Sequence, residues 1–332
     1  MASVERRRSR RRGLALAALA ATLVLVSTAW LTWPRGPERP RLERPGGVLL
    51  GAFLNERDHA VPRSIQLADM ERQLGRRLAI VHSFDRWGDR FPTAQERAVA
   101  TSGRIPFLNL RGLPSARIVD GSQDGYLRAR AQAVRALGRP IMIQYYGEMD
   151  RRSAAAVGSP SQFVAAWRHI HALFDQEGAT NAVWVWCPTG GGLRGTRPKA
   201  AAFYPGDDEV DWVCFDAYDW PRPDGRPARS FAAIALEPYR YLVRHMPGKP
   251  IMIGEFGTVE DPTDPFAKAR WLDAAATTIQ RQMPELAALV YFDTVAYENG
   301  RRIDWRLDSS AAAYRAWLRL AGRDHFRAAP PS

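Results

Sequence analysis

From residue 46 onward, short apolar runs alternate with longer stretches of helical period. Eight runs read as buried strands, at 48–54, 78–84, 105–110, 141–146, 182–187, 212–215, 251–254 and 288–292. Between them lie amphipathic stretches such as 65–74, 125–137, 161–176, 231–246 and 265–283. In 161–176, Phe163, Val164, Trp167, Ile170 and Phe174 recur at helical spacing, and Gly178 follows as a stop signal. Strict alternation of strands with helices makes neighbouring strands parallel, and eight such units close into a barrel more readily than they form an open sheet. The expected fold is α/β, a (β/α)8 TIM barrel over residues 46–325 with a short tail at 326–332. Residues 188–204, rich in Gly and Arg, break the rhythm and read as an extended loop where a helix is due.

The N-terminal residues follow a different pattern. Two arginine triplets, 6–8 and 10–12, precede residues 14–33, twenty positions without a charge and long enough as a helix to cross a bilayer. The basic flank should stay cytoplasmic, which sends everything after Trp33 outside. An uncleaved anchor is favoured because the apolar run continues through Trp30 to Trp33, although Ser27-Thr28-Ala29 offers a cleavage site that would make the protein secreted. The paired arginines also permit a twin-arginine export signal. Residues 34–45, with four prolines and four arginines, read as a stiff tether.

Charge and composition then exclude several functions. Of the net +12, residues 1–45 hold +7, so the remainder is only mildly basic and lacks an Arg/Lys run interleaved with aromatics. A nucleic-acid groove is not expected. Six scattered histidines give no metal site, no phosphate loop stands out, and no cofactor is expected. Cys187 and Cys214 fall on consecutive strands and an exported chain could oxidise them; free buried thiols are preferred, because cross-links inside a barrel rarely meet disulfide geometry. The folded part is expected to act as a monomer.

Two of the apolar runs lead to a carboxylate. Ile141-Met142-Ile143 runs on to Glu148 behind Gly147, and Ile251-Met252-Ile253 delivers Glu255 between Gly254 and Gly257. Either one alone reads equally well as a solvated loop residue. In a parallel barrel, however, chemistry sits at the C-terminal strand ends, and two carboxylates there match a glycosidase: one protonates the leaving oxygen while the other attacks the sugar carbon.

These segments, with several others in the same order, resemble glycoside hydrolase family 26. Glu148-Met149 is similar to that family's acid/base motif. Residues 165–169, 178–181 and 183–186 follow in its order. The most specific block is 204–213 with 215–220, Phe215-Asp216-Ala217-Tyr218-Asp219-Trp220. Gly254-Glu255 and residues 304–310 complete the likeness, which spans about residues 46–320. The resemblance implies a retaining hydrolase of a β-linked polysaccharide, of β-mannan or β-glucan type. Glu148 would be acid/base and Glu255 the nucleophile, with carboxyls roughly 5–5.5 Å apart. Tyr218 takes the position of a hydroxyl that orients the nucleophile, with core packing as the even alternative.

Around these two, His82, Trp87, Trp186, Trp220, Tyr291 and Trp305 fall near expected strand exits and are candidates to line a sugar-binding groove, although each alone fits core packing as well or better. The chain departs from the family where His, Arg and Asn are usual and Gly147, Gln144 and Asp150 stand instead. Asp150 is expected to be an exposed loop carboxylate. Asp293 and Thr294 replace larger residues and are expected to reshape the groove. These departures keep open two alternatives: a carbohydrate-binding or polysaccharide export protein that kept the barrel, and a transglycosylase.

Overall fold

The computed structural model describes residues 42–55, 61–151, 154–220, 228–298 and 300–330. The expected membrane segment and most of the tether lie outside the described residues, and among the described residues no helix is long and apolar enough to cross a membrane. Strands β1 (Leu49–Leu54), β2 (Ile80–Arg86), β3 (Ile105–Arg111), β4 (Ile141–Tyr145), β5 (Ala182–Trp186), β6 (Trp212–Asp219), β7 (Ile251–Thr258) and β8 (Leu286–Asp293) form a closed parallel barrel in chain order. It is a (β/α)8 barrel. The seam is β1 against β8, in register from Leu49 opposite Ala288 to Leu54 opposite Asp293.

Helices α1 (Arg63–Leu74), α2 (Ala94–Thr101), α3 (Ser115–Val119), α4 (Asp124–Leu137), α5 (Pro160–Gln176), α6 (Phe231–His245), α7 (Ala267–Gln282) and α8 (Ala311–Gly322) connect the strands or follow the last of them. Local chemistry sets their starts. Helix α5 opens on a capping box between Ser159 and Gln162 with Pro160 in its first turn, and α2 on the same device between Thr93 and Glu96. Helices α2, α3 and α8 are not among the stretches picked out by periodicity; α2 buries only Glu96, Val99 and Ala100, too few to set a period. After β5, 3-10 turns at Gly190–Leu193 and Lys199–Phe203 occupy the place of a helix, in keeping with the expected loop. A short antiparallel pair, β9 (Val295–Glu298) and β10 (Arg301–Asp304), follows β8 and was not expected.

Alternation along the strands builds two cores. Leu49, Ile80, Phe107, Met142, Val185, Met252 and Val290 fill the barrel interior, while Leu50, Leu108, Ile143, Trp184, Phe215 and Ile253 pack outward with the helices. The same alternation corrects two expectations. Trp186 and Tyr291 belong to the outer core, fully buried, with Nε1 of Trp186 donating to the Phe203 carbonyl and the Tyr291 hydroxyl donating to that of Trp305. Neither presents a face to a groove.

Strands β6 and β7 each run four residues past the end of their apolar run, so Asp216, Tyr218 and Glu255 lie within strands. In β7 the register slips: Phe215 faces Ile253, but the next pair is Asp216 with Glu255, leaving Gly254 as an extra residue. Strict alternation from Met252 would point Gly254 inward and Glu255 outward. The bulge lets both face the interior, which is how a barrel strand re-aims a side chain. Only Gly fits there, since a Cβ would stand 2.4 Å from Cys214 Sγ.

The two cysteines are joined, which corrects the expectation of free thiols. Trp186 opposite Val213 sets Cys187 opposite Cys214, both pointing to the axis with Cα atoms 4.3 Å apart. The missing side chain at Gly254 leaves the space the bridge fills.

Candidate active site

Glu148 sits in a forced turn just beyond β4. Tyr146 (φ 54°) and Glu148 (φ 58°) both adopt left-handed backbone without being glycine, a conformation costing on the order of 1–3 kcal/mol each. The surrounding strands impose it. Tyr146 N donates to Leu110 O at 2.9 Å, Gly147 N to Asn109 Oδ1 at 3.2 Å, and Glu148 N to Cys187 O at 2.8 Å. The carboxyl is 8% exposed and accepts from Arg151 Nη1 at 2.6 Å. Burial and the neighbouring Glu255 push Glu148 up to about 7, against the pull of Arg151 and Arg111.

Glu255 has the opposite balance. Burial would raise its pKa, but hydrogen bonding and attraction from His82, the charge of Arg111 and a hydrogen bond from Tyr218 outweigh it and hold Glu255 below the usual carboxylate range. The Tyr218 hydroxyl donates to Oε2 at 2.8 Å, and His82 Nε2 faces Oε1 at 3.2 Å. His82 is fixed by its other nitrogen, Nδ1, which donates to the Phe107 carbonyl at 3.0 Å, and by stacking on the Phe107 ring. Tyr218 therefore meets Glu255 as the resemblance implied, whereas His82, expected to line a groove, is fully buried and reaches Glu255 instead.

The other aromatic candidates divide. Trp220 is half-buried at the wall of a cleft of about 290 Å³ that also contains Glu148, Asp216 and Tyr218. Trp305 is fully buried behind Tyr218, with ring centroids 4.8 Å apart, and supports Tyr218 from behind. Trp87 packs on Tyr126 and donates to Gln123 Oε1, outside the cleft. Asp293 and Thr294 are both buried and tie down the Trp305 segment, Asp293 accepting from Leu307 N at 2.7 Å and the Thr294 carbonyl from Trp305 N at 2.9 Å.

Asp150 is likewise not an exposed loop carboxylate. It is 6% exposed and accepts from Thr189 N at 2.9 Å and Thr189 Oγ1 at 2.6 Å, which clamps the turn after Glu148 to the loop after β5. The departures at Gly147 and Gln144 are one change seen twice. A Cβ at residue 147 would lie 2.5 Å from Gln144 Nε2 and 2.8 Å from Asn109 Nδ2, so these amides occupy the space a larger residue would need.

Sequence reasoning missed three groups. Asp216 is buried near the two glutamates, and burial, then the charges of Glu255 and Glu148, drive its pKa well above its ordinary value. Its two-residue spacing from Tyr218 on one strand face was the available signal. Arg111, at the end of β3, donates to the Gly147 carbonyl at 3.2 Å and attracts all three carboxylates. Phe53, Phe84 and Phe292 form an aromatic wall beside Tyr218, with Phe292 and Tyr218 centroids 5.6 Å apart. No spacing rule separates such phenylalanines from ordinary core. Among the described residues, the one cluster of donor types dense enough for a metal is Cys187, Cys214 and Asp216, and its sulfurs are already bonded to each other.

The sequence profile of glycosyl hydrolase family 26 matches residues 128–234, a segment containing Glu148, Asp216 and Tyr218 and stopping short of Glu255. The chain resembles that family. It is 28% identical over 289 residues to endoglucanase H of Acetivibrio thermocellus, covering 83% of this chain and 30% of that protein. The chain thus spans less than a third of that relative's length. A modular endo-β-1,4-mannanase from Cellulomonas fimi superposes with a TM-score of 0.62 at 19% identity, over 85% of this chain and 72% of that one. A β-mannanase from a symbiotic protist of the termite Reticulitermes speratus does so at 0.59 and 14% identity, over 87% and 94%. At such identities the superpositions show the barrel alone.

Proposed function

We propose that this protein is a retaining glycosidase that cleaves β-linked polysaccharide of the β-mannan or β-glucan type. The observation that carries the reading is the opposite poise of two buried carboxyls at the C-terminal mouth of the barrel. Glu148, pushed up to about 7, holds a proton for the leaving oxygen; Glu255, held low by His82 and Tyr218, stays ionised to attack the anomeric carbon. Attack of Glu255 with protonation by Glu148 gives a glycosyl-enzyme and a free leaving group. Glu148, now a base, then takes a proton from water, whose oxygen attacks the same carbon and releases the β-anomer and the free Glu255 carboxylate. A sugar acceptor in place of water would give transfer by the same chemistry. Hydrolysis is preferred, since the family 26 likeness is to hydrolases.

The test reads product stereochemistry. With an activated β-glycoside, Glu255→Ala rescued by azide should give an α-glycosyl azide, and Glu148→Ala a β-glycosyl azide. Wild-type turnover retained in both variants would overturn the assignment. Wild-type protein that binds a β-glycan and cleaves none would make it a carbohydrate-binding protein instead.

We further propose that residues 14–33 tether this domain to the outer face of a membrane, supported by their uncharged length behind six arginines. Full-length protein should sediment with membranes and a chain beginning at residue 42 should not. A mature N-terminus at Trp30 would replace the anchor with a cleaved signal.

A further inference from the structure

The cleft beside Glu148 is electropositive in a way that a neutral sugar does not require. Three arginines from three different segments line it: Arg151 after β4, Arg194 in the loop after β5, and Arg229 before α6. Among its described lining residues the only acids are Glu148 and Asp216, and both are held towards their protonated forms by burial and by the other carboxylates. Arg229 has a carboxylate neighbour, Asp219, at 4.0 Å, and Arg151 has Glu148.

Arg194 is held differently. Its Nη2 donates to the carbonyls of Ala233 (2.9 Å) and Ile234 (2.6 Å) in α6. Ile234 O is the carbonyl that residue 238 would normally engage, and residue 238 is proline, which has no N–H to give. Arg194 thus fills a bond freed by Pro238, and that bond fixes its position in the cleft wall without cancelling its charge. Its Nε, shut off from solvent, has no hydrogen-bond partner among the described residues.

The cleft opens onto Glu148, so a sugar bound there meets the proposed acid on that side. Trp220, with Arg151 above its ring at 5.9 Å, offers that side an aromatic face. We infer that the cleft beside Glu148 selects a sugar bearing an anionic substituent, a uronate carboxylate or a sulfate or phosphate ester. This rests on the glycosidase reading above and narrows its substrate class. Guanidinium charges brought to one cleft from three separate segments suit such an oxyanion.

The test compares a uronate-containing β-oligosaccharide with the same oligosaccharide after reduction of its carboxyls to alcohols, so the two differ only at that carbon. A sulfated analogue forms a third arm and distinguishes the anion. At low salt the acidic substrate should show a KM about tenfold or more below that of its neutral counterpart, a gap that closes as salt is raised. Arg194→Gln and, separately, Arg229→Gln should narrow the ratio. Because both substrates are measured on one preparation, loss of folded protein lowers both rates without moving the ratio. Equal KM values for the pair, or preference for the neutral one, would overturn the inference and leave the glycosidase reading intact. If neither is cleaved, the glycosidase reading fails, and the Kd ratio of the same pair by calorimetry decides the charge preference on its own.

Discussion

Glu148 and Glu255 are equally buried, at 8% exposure each, yet the barrel shifts their proton affinities in opposite directions. The difference lies in what each carboxyl touches. Glu255 faces two donors fixed from behind, Tyr218 backed by Trp305 and His82 backed by Phe107 and its carbonyl. Glu148 sits on a strained turn with one long, partly exposed hydrogen-bond partner, Arg151, and the more distant pull of Arg111, against desolvation and the charge of Glu255. Burial alone therefore does not set the proton affinity of a carboxyl. Preorganised donors at one and their scarcity at the other would, in the proposed mechanism, divide attack from protonation.

In the proposed mechanism, the largest effect expected from breaking this contrast is the loss of the nucleophile. Glu255→Ala should lower kcat by roughly 10⁴-fold or more on any substrate, as removing a covalent nucleophile does. Glu148→Ala should instead discriminate, with severe losses on natural polysaccharide and small ones on aryl glycosides whose leaving group needs no proton. A comparison of the two variants across leaving groups checks this, and equal slopes would erase the distinction.

Stability should move in opposite directions at the two sites. The folded-state pKa of Glu148, about 7, lies above its unfolded value of 4.5, so the native state binds more protons and stability falls as pH rises between those values. Glu148→Gln removes that penalty and should stabilise the fold at pH 8 by up to about 3 kcal/mol, read from urea midpoints at pH 4 and pH 8. Glu255, whose pKa is lowered, contributes stability that is present above its unfolded pKa and lost as pH falls through the folded one. Glu255→Gln should destabilise at pH 8.

Removal of one fixed donor should have a smaller effect. Tyr218→Phe deletes the hydrogen bond to Glu255 Oε2 and should cost about 10- to 100-fold in kcat, the worth of a hydrogen bond to a charged group. It should also move the acid limb of the pH profile upward. The subtlest test concerns Arg151, which pulls the Glu148 pKa down. Arg151→Gln should move the basic limb of kcat/KM, set near pH 7 by Glu148, to higher pH, whereas an unmoved limb would mean that another group sets it.

Much of this was legible in the chain. The eight apolar runs, the two glutamates behind them and the Asp216-Ala217-Tyr218 block are local patterns, and strand–helix alternation leaves few topologies for them. The sequence was less informative wherever a side chain's fate depends on which face of a strand it takes. Trp186 and Trp220 look alike as aromatics near strand ends, yet one is sealed against the Phe203 carbonyl and the other lines the cleft.

The chain's local patterns fixed the barrel, the order of its strands and a carboxylate following the apolar runs of β4 and β7, because periodicity and burial act over a few residues at a time. Tertiary structure alone decided what those carboxylates are. The Gly254 bulge that turns Glu255 inward, the union of Cys187 with Cys214, the burial of Asp150 against Thr189 and the reach of Arg111 to three carboxylates all join strands distant in sequence. A pKa depends on distance and desolvation in three dimensions, and those are fixed only once the barrel has closed.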